Sequence, residues 1–398
     1  MGERELPEGW EWKRLGDLVD FLYGYPFDSS KFNDESRGFP IIRIRDLIKH
    51  STKTFYDGEF NRSYLINKGD ILIGMDGEFN IVRWEGSSAF LNQRNCKLTI
   101  NSDEILDGYL FRVLVKILKD IENATPFVTV KHLSAKQLNL IYLPIPPLPI
   151  QRQIVAVLER AEAVKRQRQE ADALTGALLQ SVFYEMFGDP VRNERGWEVK
   201  TIDQLVCDKK KVSCGPFGSQ LKVSDYTDAG TLVLGIDNIG INHFIWINPR
   251  YISLEKFSEL QSFVVFPDDI IISRAGTVGR TCVVPKSIHN AIIGSNLLKV
   301  TLDQDKLLPI FLTTAISFAP SIIENIKMSS PGAMYNFLNS NKLRSLQIIV
   351  PPLALQQQFA RVVEEVEQIR ERQAASGKEI EGLCEGLMQR AFAGELVA

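Results

Sequence analysis

Pro146-Pro147-Leu148-Pro149-Ile150-Gln151-Arg152-Gln153-Ile154 and Pro351-Pro352-Leu353-Ala354-Leu355-Gln356-Gln357-Gln358-Phe359 are two copies of one punctuation, 205 residues apart. Proline suits the entry of a helix and not its interior. None follows Pro149 until Pro190, and none follows Pro352. Each copy therefore opens a long helix. In the first, Ile150, Val157, Val164, Ala171 and Leu178 recur every seven residues. Ile154, Ala161, Arg168, Thr175 and Val182 fill the places four later. In the second, Leu355, Val362, Ile369, Ser376 and Leu383 match the first series. Phe359, Val366, Gln373, Ile380 and Leu387 match the second. These heptads predict a coiled-coil seam through Ile154, Val157, Val164 and Arg168 on one helix and Val362, Val366, Ile369 and Gln373 on the other. Each helix would be roughly 57 Å long at ~1.5 Å per residue. Two amphipathic helices, each packed on its own domain, are the alternative. Arg168 and Gln373 are the polar breaks; an antiparallel pair brings them together and a parallel pair could also align them. A two-fold repeat of globule plus helix closes most simply with the helices antiparallel.

Working outward, the repeat extends through the chain. Gly9-Trp10-Glu11 recurs as Gly196-Trp197-Glu198, and Ile44-Arg45-Asp46-Leu47 as Ile236-Asp237-Asn238-Ile239. Gly69-Asp70-Ile71-Leu72-Ile73 recurs as Asp268-Asp269-Ile270-Ile271-Ile272, and Lys97-Leu98-Thr99 as Lys299-Val300-Thr301. Near the ends, Gln180-x-x-Phe183 recurs as Gln389-x-x-Phe392. The order is kept and the offset only grows, as small insertions require. Short apolar runs before each proline pair, such as Phe39–Ile44, Asp70–Gly74, Thr231–Ile236 and Asp269–Ser273, read as strands. The expected fold is α+β: two pseudo-repeated mixed α/β domains, 1–148 and 189–350, separated by two long helices, 149–188 and 351–398, that form an antiparallel coiled coil.

Composition excludes several classes. The chain has 398 residues, 44% hydrophobic and 24% charged, enough for two or three cored domains and too apolar for general disorder. No apolar run reaches the length of a membrane span, and Met1–Trp10 lacks a signal core. The five cysteines, 96, 207, 214, 282 and 384, hold no C-x-x-C and read as free thiols in a reducing cytoplasm. The histidines at 50, 132, 243 and 289 form no metal-ligand motif. Neither an N-P-P-[FY]-like motif for adenine methylation nor a G-x-x-x-x-G-K-[ST] phosphate loop is present. Gly276-Thr277-Val278-Gly279 is a glycine turn, and Pro267-Asp268-Asp269 is an acidic turn before a strand.

The pattern resembles the specificity subunit of Type I restriction-modification systems over nearly the whole chain. The resemblance is carried by Gly9-Trp10, Gly69-Asp70-Ile71-Leu72, Pro147-Leu148-x-x-Gln151-x-x-Ile154, Gly196-Trp197, Arg274-x-Gly276-Thr277-x-Gly279 and Pro351-Pro352-Leu353-x-x-Gln356. Many relatives have Glu before that Gln, where this chain has Ile150 and Leu355. The resemblance implies two target recognition domains, each reading half of a split sequence on double-stranded DNA. The helices would hold them apart and dock two methylation subunits, with restriction-translocase subunits joining the assembly. S-adenosylmethionine, ATP and Mg²⁺ would belong to those partners, with no cofactor on this chain.

Net charge is −3 overall, and by segment −2 for 1–148, zero for 149–188, +2 for 189–350 and −3 for 351–398. Phosphate attraction from this chain alone should therefore be modest, and partners must supply much of the clamp. Base reading needs Arg, Lys, Asn and Gln on exposed turns. The candidates in the first domain are Arg43, Arg45, Lys49, Asn80, Gln93, Arg94, Asn95 and Lys131. In the second they are Lys209, Lys210, Lys211, Asn238, Arg274, Thr277, Asn296, Tyr335 and Asn336. Across the repeat, Arg45 is expected to face Asn238, and Gly74 to face Ser273. For each candidate a solvated surface or turn-capping role is the alternative; Lys209–Lys211 suit phosphate better than base. Two other readings stand: a self-sufficient DNA methyltransferase or nuclease, and a coiled-coil interaction protein with no DNA role.

Overall fold

A computed structural model describes residues 6–124, 131–206, 212–240, 242–276, 278–319, 321–322 and 338–396. Contacts divide the chain into two units: Met1–Gln169 with Ala375–Ala398, and Glu170–Ala374. The boundary runs inside both long helices, Leu148–Phe187 and Leu353–Ala393. Each unit therefore contains the start of one helix and the end of the other. Among the described residues no helix is long and apolar enough to cross a membrane.

In the first unit, Glu11–Arg14 pairs antiparallel with Tyr142–Ile145 as a two-stranded ribbon. A four-stranded sheet orders Val19–Tyr23, Asn95–Ile100, Ile71–Gly74 and Ile81–Arg83. A five-stranded sheet orders Phe32–Asn33, Phe55–Tyr56, Phe39–Ile42, Ala89–Leu91 and Leu65–Ile66. Within it, Phe39–Ile42 and Ala89–Leu91 run parallel. The strand Ile71–Gly74 is buried on both faces, so it reads as a continuous apolar run. Ile71 and Ile73 face Tyr109, Leu110 and Val113 of the helix Asp107–Ala124 together with Ile154 and Leu158. Leu72 faces the other sheet, among Ile42, Leu47, Trp84 and Leu91.

The second unit repeats this strand for strand. Its ribbon pairs Glu198–Thr201 with Gln347–Val350. Its four-stranded sheet orders Val212–Cys214, Leu297–Val300, Ile270–Ser273 and Thr281–Val283. Its five-stranded sheet again has one parallel pair, Thr231–Leu234 with Ala291–Ile293. Ile270 and Ile272 pack on Phe311, Phe183 and Phe359, whereas Ile271 faces Leu234 and Ile293. The register equates Gly74 with Ser273, since Asn95 pairs with the former and Leu297 with the latter. It corrects the other expected pair. Asp46 accepts from the Arg43 amide at 3.0 Å as Asn238 accepts from Gly235 at 2.8 Å, so Arg45 corresponds to Asp237.

The helix halves run antiparallel inside each unit. In the first, Lys165 Nζ lies 3.3 Å from Glu381, and Cys384 donates to the Ala161 carbonyl at 3.7 Å. In the second, Leu179 and Phe183 share a core with Phe359, Val363 and Val366. Within that unit Gln373 donates to Thr175 Oγ1 at 2.8 Å and to the Ala171 carbonyl at 3.5 Å, one heptad on from Arg168, which belongs to the other unit.

The buried stripe corrects the expected seam. Ile154 and Val366 are buried, and Arg168 and Gln373 half-buried. Val164 and Ile369 are exposed, at 47% and 43%. Val157 and Val362 are half-buried beside their fully buried neighbours Leu158 and Val363. Around the series Ile154, Ala161, Arg168 and Thr175, both flanks keep the same 3-and-4 spacing. Burial of Leu158, Leu179 and Val363 selects the flank one residue later, although Lys165 and Arg370 interrupt it.

Candidate nucleic-acid interface

At the ends of the two sheets each unit brings the same backbone segments together. In the first unit the Met75 amide donates to the Arg94 carbonyl at 2.9 Å; in the second the Arg274 amide donates to Asn296 at 3.0 Å. The Gly24 amide donates to Asn95, and Gly215 to Leu297. A Cβ on Gly24 would stand 2.0 Å from the Asn92 carbonyl oxygen, and one on Gly215 2.0 Å from that of Gly294. Glycine is needed at both places because the chain passes too close to the neighbouring turn. These segments form one rim per unit.

Four first-unit candidates line this rim or its margin. Gln93 and Arg94 are exposed on the turn between Ala89–Leu91 and Asn95–Ile100, and Arg45 and Lys49 are exposed beside the short helix Ile44–Asp46. Arg94 Nη1 lies 2.7 Å from Asp76 Oδ2. Asn80 is half-buried and donates to Glu78 at 3.3 Å. Arg43 is half-buried, its guanidinium 5.7 Å from the Phe32 ring centroid. Lys131 is half-buried and its ammonium donates to the Glu122 carbonyl.

Asn95 is corrected. Its side chain is fully buried and donates to the Ile42 carbonyl at 3.0 Å and that of Asn92 at 3.3 Å. It ties the two sheets together and cannot reach a base. Asn238 is corrected likewise. Only 6% exposed, it caps Gly235 and donates to the Ile245 and Ile247 carbonyls at 3.0 and 3.2 Å.

In the second unit Arg274 is half-buried with its guanidinium 5.3 Å from the Phe217 centroid, and Asn296 is exposed. Asn296 lines a cleft of about 270 Å³ with Gly235, Asp237, Arg250 and Ser295. Arg250 Nη2 lies 3.3 Å from Asp237 there. Lys209, Lys210, Lys211, Thr277, Tyr335 and Asn336 lie outside the described residues.

Sequence reasoning missed the aromatic segment of each rim. Tyr25, 46% exposed, packs on Phe27 and Tyr64, and Phe217 is 58% exposed. The signal was present: Gly24 and Gly215 are offset by 191, and Pro26-Phe27 and Pro216-Phe217 by 190, inside the drift of the repeat. It also missed Asp76 and His132, whose Nδ1 lies 2.5 Å from Asp76 Oδ1. Beneath the rim, burial pushes the Tyr23 phenol up to about 12, so it stays a neutral hydroxyl.

The family model described as Type I restriction modification DNA specificity domain matches residues 7–172 and again 194–381. The chain belongs to this family. The two specificity-domain matches correspond to the two copies of the strand plan, and each match ends inside a long helix. The Type I restriction enzyme EcoBI specificity subunit of Escherichia coli is 27% identical over all of this chain and 88% of its own length. The putative type I restriction enzyme MjaX specificity subunit of Methanocaldococcus jannaschii is 23% identical over 98% of this chain and 95% of its own. Among solved structures, the S subunit of a Type I restriction-modification system from M. genitalium covers 98% of both chains at 15% identity, with a TM-score of 0.52. A chain from a structural study of type I R-M complex assembly covers 99% of this chain and 100% of its own at 21% identity, with a TM-score of 0.59. At these identities the likeness carries the specificity-subunit fold.

Proposed function

We propose that this chain is the non-catalytic DNA-reading subunit of a Type I restriction-modification assembly, working in the cytoplasm. Each rim reads one half of a bipartite, asymmetric target. The observation that carries this reading is one backbone frame filled with different side chains. Across the same hydrogen bond the first unit has Met75 and Arg94, the second Arg274 and Asn296. A shared frame with exchanged polar groups suits two readers that select different bases.

The two long helices, as an antiparallel coiled coil, would set the spacing between half-sites and dock two methylation subunits. Restriction-translocase subunits complete the assembly. S-adenosylmethionine, ATP and Mg²⁺ act on those partners. The net charge of −3 supports an obligate complex, because this chain brings little phosphate attraction of its own.

The test is to map modified sites left by the chain assembled with its methylation subunits, beside gel shifts of the chain alone. A split motif, and duplex binding that needs the partners, support the reading. Methyl transfer or cleavage by the chain alone would replace it with the self-sufficient enzyme. No sequence-dependent binding with any partner would leave the interaction protein.

A further inference from the structure

We propose that Asp76 is a positioning residue for Arg94, and that the aimed guanidinium reads a guanine in the half-site of the first unit. This rests on the half-site reading above. Both oxygens of the Asp76 carboxylate are engaged: Oδ2 lies 2.7 Å from Arg94 Nη1, and Oδ1 lies 2.5 Å from His132 Nδ1. The carboxylate is itself held in place. Asp76 faces His132 across an antiparallel bridge. On either side Gly77 donates to the Lys131 carbonyl and Leu133 to the Met75 carbonyl, both at 2.8 Å. The Met75 amide in turn donates to the Arg94 carbonyl. Backbone and side chain thus fix Arg94 to one small frame.

The Asp76 side chain is 17% exposed and that of Arg94 57%. The acid sits under the base, and the base is presented. A carboxylate at a DNA-facing rim works against phosphate binding, so its contribution must lie elsewhere than in affinity. Holding one corner of a planar fork restricts where its other donors can aim. The fork matches the O6 and N7 acceptors of guanine. The neighbouring charge also weakens the alternative of Arg94 resting on a phosphate.

Among the described residues of the second unit no carboxylate stands at the corresponding place. Arg274 occupies the place of Met75, and Ala275 that of Asp76. The effect of removing the carboxylate is therefore confined to one half-site.

The experiment uses the chain assembled with its methylation subunits. Modified sites are mapped, and binding is measured to duplexes carrying each single base-pair change in the target. Arg94→Ala should lower discrimination at one guanine-containing pair of one half-site by about tenfold or more. Asp76→Ala and His132→Ala should lower discrimination at that same pair, and Asp76→Ala should tighten binding to unrelated DNA. The double variant Asp76→Ala/Arg94→Ala should discriminate no worse than Arg94→Ala. If Arg94→Ala leaves the motif unchanged, the half-site reading of this rim fails. If Arg94→Ala relaxes one pair but Asp76→Ala and His132→Ala leave that pair unchanged, or weaken all sequences alike, the positioning role is overturned. Should Asp76→Ala not fold, His132→Ala and Asp76→Asn decide by the same criterion.

Discussion

Gln356 accepts the backbone amide of Leu308 at 2.8 Å while fully buried. Its Nε2 donates to the carbonyls of Pro351, at 2.8 Å, and Lys306, at 3.2 Å. Gln151 makes the same three bonds, to Leu106, Pro146 and Glu104, at 2.8, 2.9 and 2.7 Å. This explains why the Pro-Pro-Leu-x-x-Gln punctuation ends on glutamine. One amide satisfies two loop carbonyls and one loop N–H, and so joins the start of each long helix to the loop before the covering helix. Glutamate has the same shape but no donor. Gln356→Glu should therefore place a carboxylate oxygen against two carbonyls and cost about 3 kcal/mol or more, and Gln356→Ala a similar amount. Urea unfolding of the variants checks this. A Gln356→Glu protein as stable as the parent would remove the proposed role of the amide.

The repeat, several strand runs and the helix entries were legible because each follows from local pattern: recurring motifs in order, short continuous apolar runs and proline placement. The burial of Asn95 and Asn238 was not. A polar residue beside an apolar strand looks like an exposed turn until the carbonyls it satisfies, Ile42 in one case and Ile245 in the other, are brought near by distant segments. The flank of the helices buried in each unit was equally hidden. Both flanks keep heptad spacing, and the choice depends on packing of Leu158 and Val363 against the sheets' helical cover.

Thr175 and Gln373 form a polar pair within the second unit's apolar helix contact. Thr175 is 9% exposed and also donates to the Ala171 carbonyl at 2.8 Å. Thr175→Val removes the acceptor of a partly buried amide and should cost about 1–2 kcal/mol. Replacing both partners, as Thr175→Val/Gln373→Leu, should recover part of that loss, because the Gln373 amide no longer stands against a hydrocarbon. A double-mutant cycle by thermal or urea unfolding measures the coupling. Additive losses would show that the two side chains do not act as a pair.

Burial pushes the thiols of Cys96 and Cys282 up to about 12. The thiolate is the reactive form, so a raised pKa keeps both protonated and unreactive from neutral pH to about pH 10. Cys214 and Cys384 are half-buried. Alkylation of the native protein at pH 8, read by peptide mass mapping, should label Cys214 and Cys384 ahead of Cys96 and Cys282. The buried pair should react only when denaturant opens the sheets. Labelling of Cys96 or Cys282 at native rates equal to Cys384 would contradict their place in the cores.

Arg274 lies with its guanidinium over the exposed ring of Phe217. A planar cation packed on an aromatic face is restricted in orientation, and its fork has the geometry for paired hydrogen bonds with a base. Lysine carries the charge but not the fork. Arg274→Lys should therefore relax the second half-site, at about 1–3 kcal/mol of lost discrimination, while keeping overall affinity for DNA. Phe217→Ala should have a smaller effect of the same kind, since an exposed cation–π contact contributes about 0.5–1 kcal/mol. Phe217→Trp should preserve the motif, because a larger ring face replaces the one removed. Mapping of modified sites in the assembled enzyme reads all three. The first half-site should stay unchanged throughout, since Phe217 and Arg274 lie in the second unit. An unaltered second half-site with Arg274→Lys, or a change in the first, would mean that this guanidinium does not read bases through its fork.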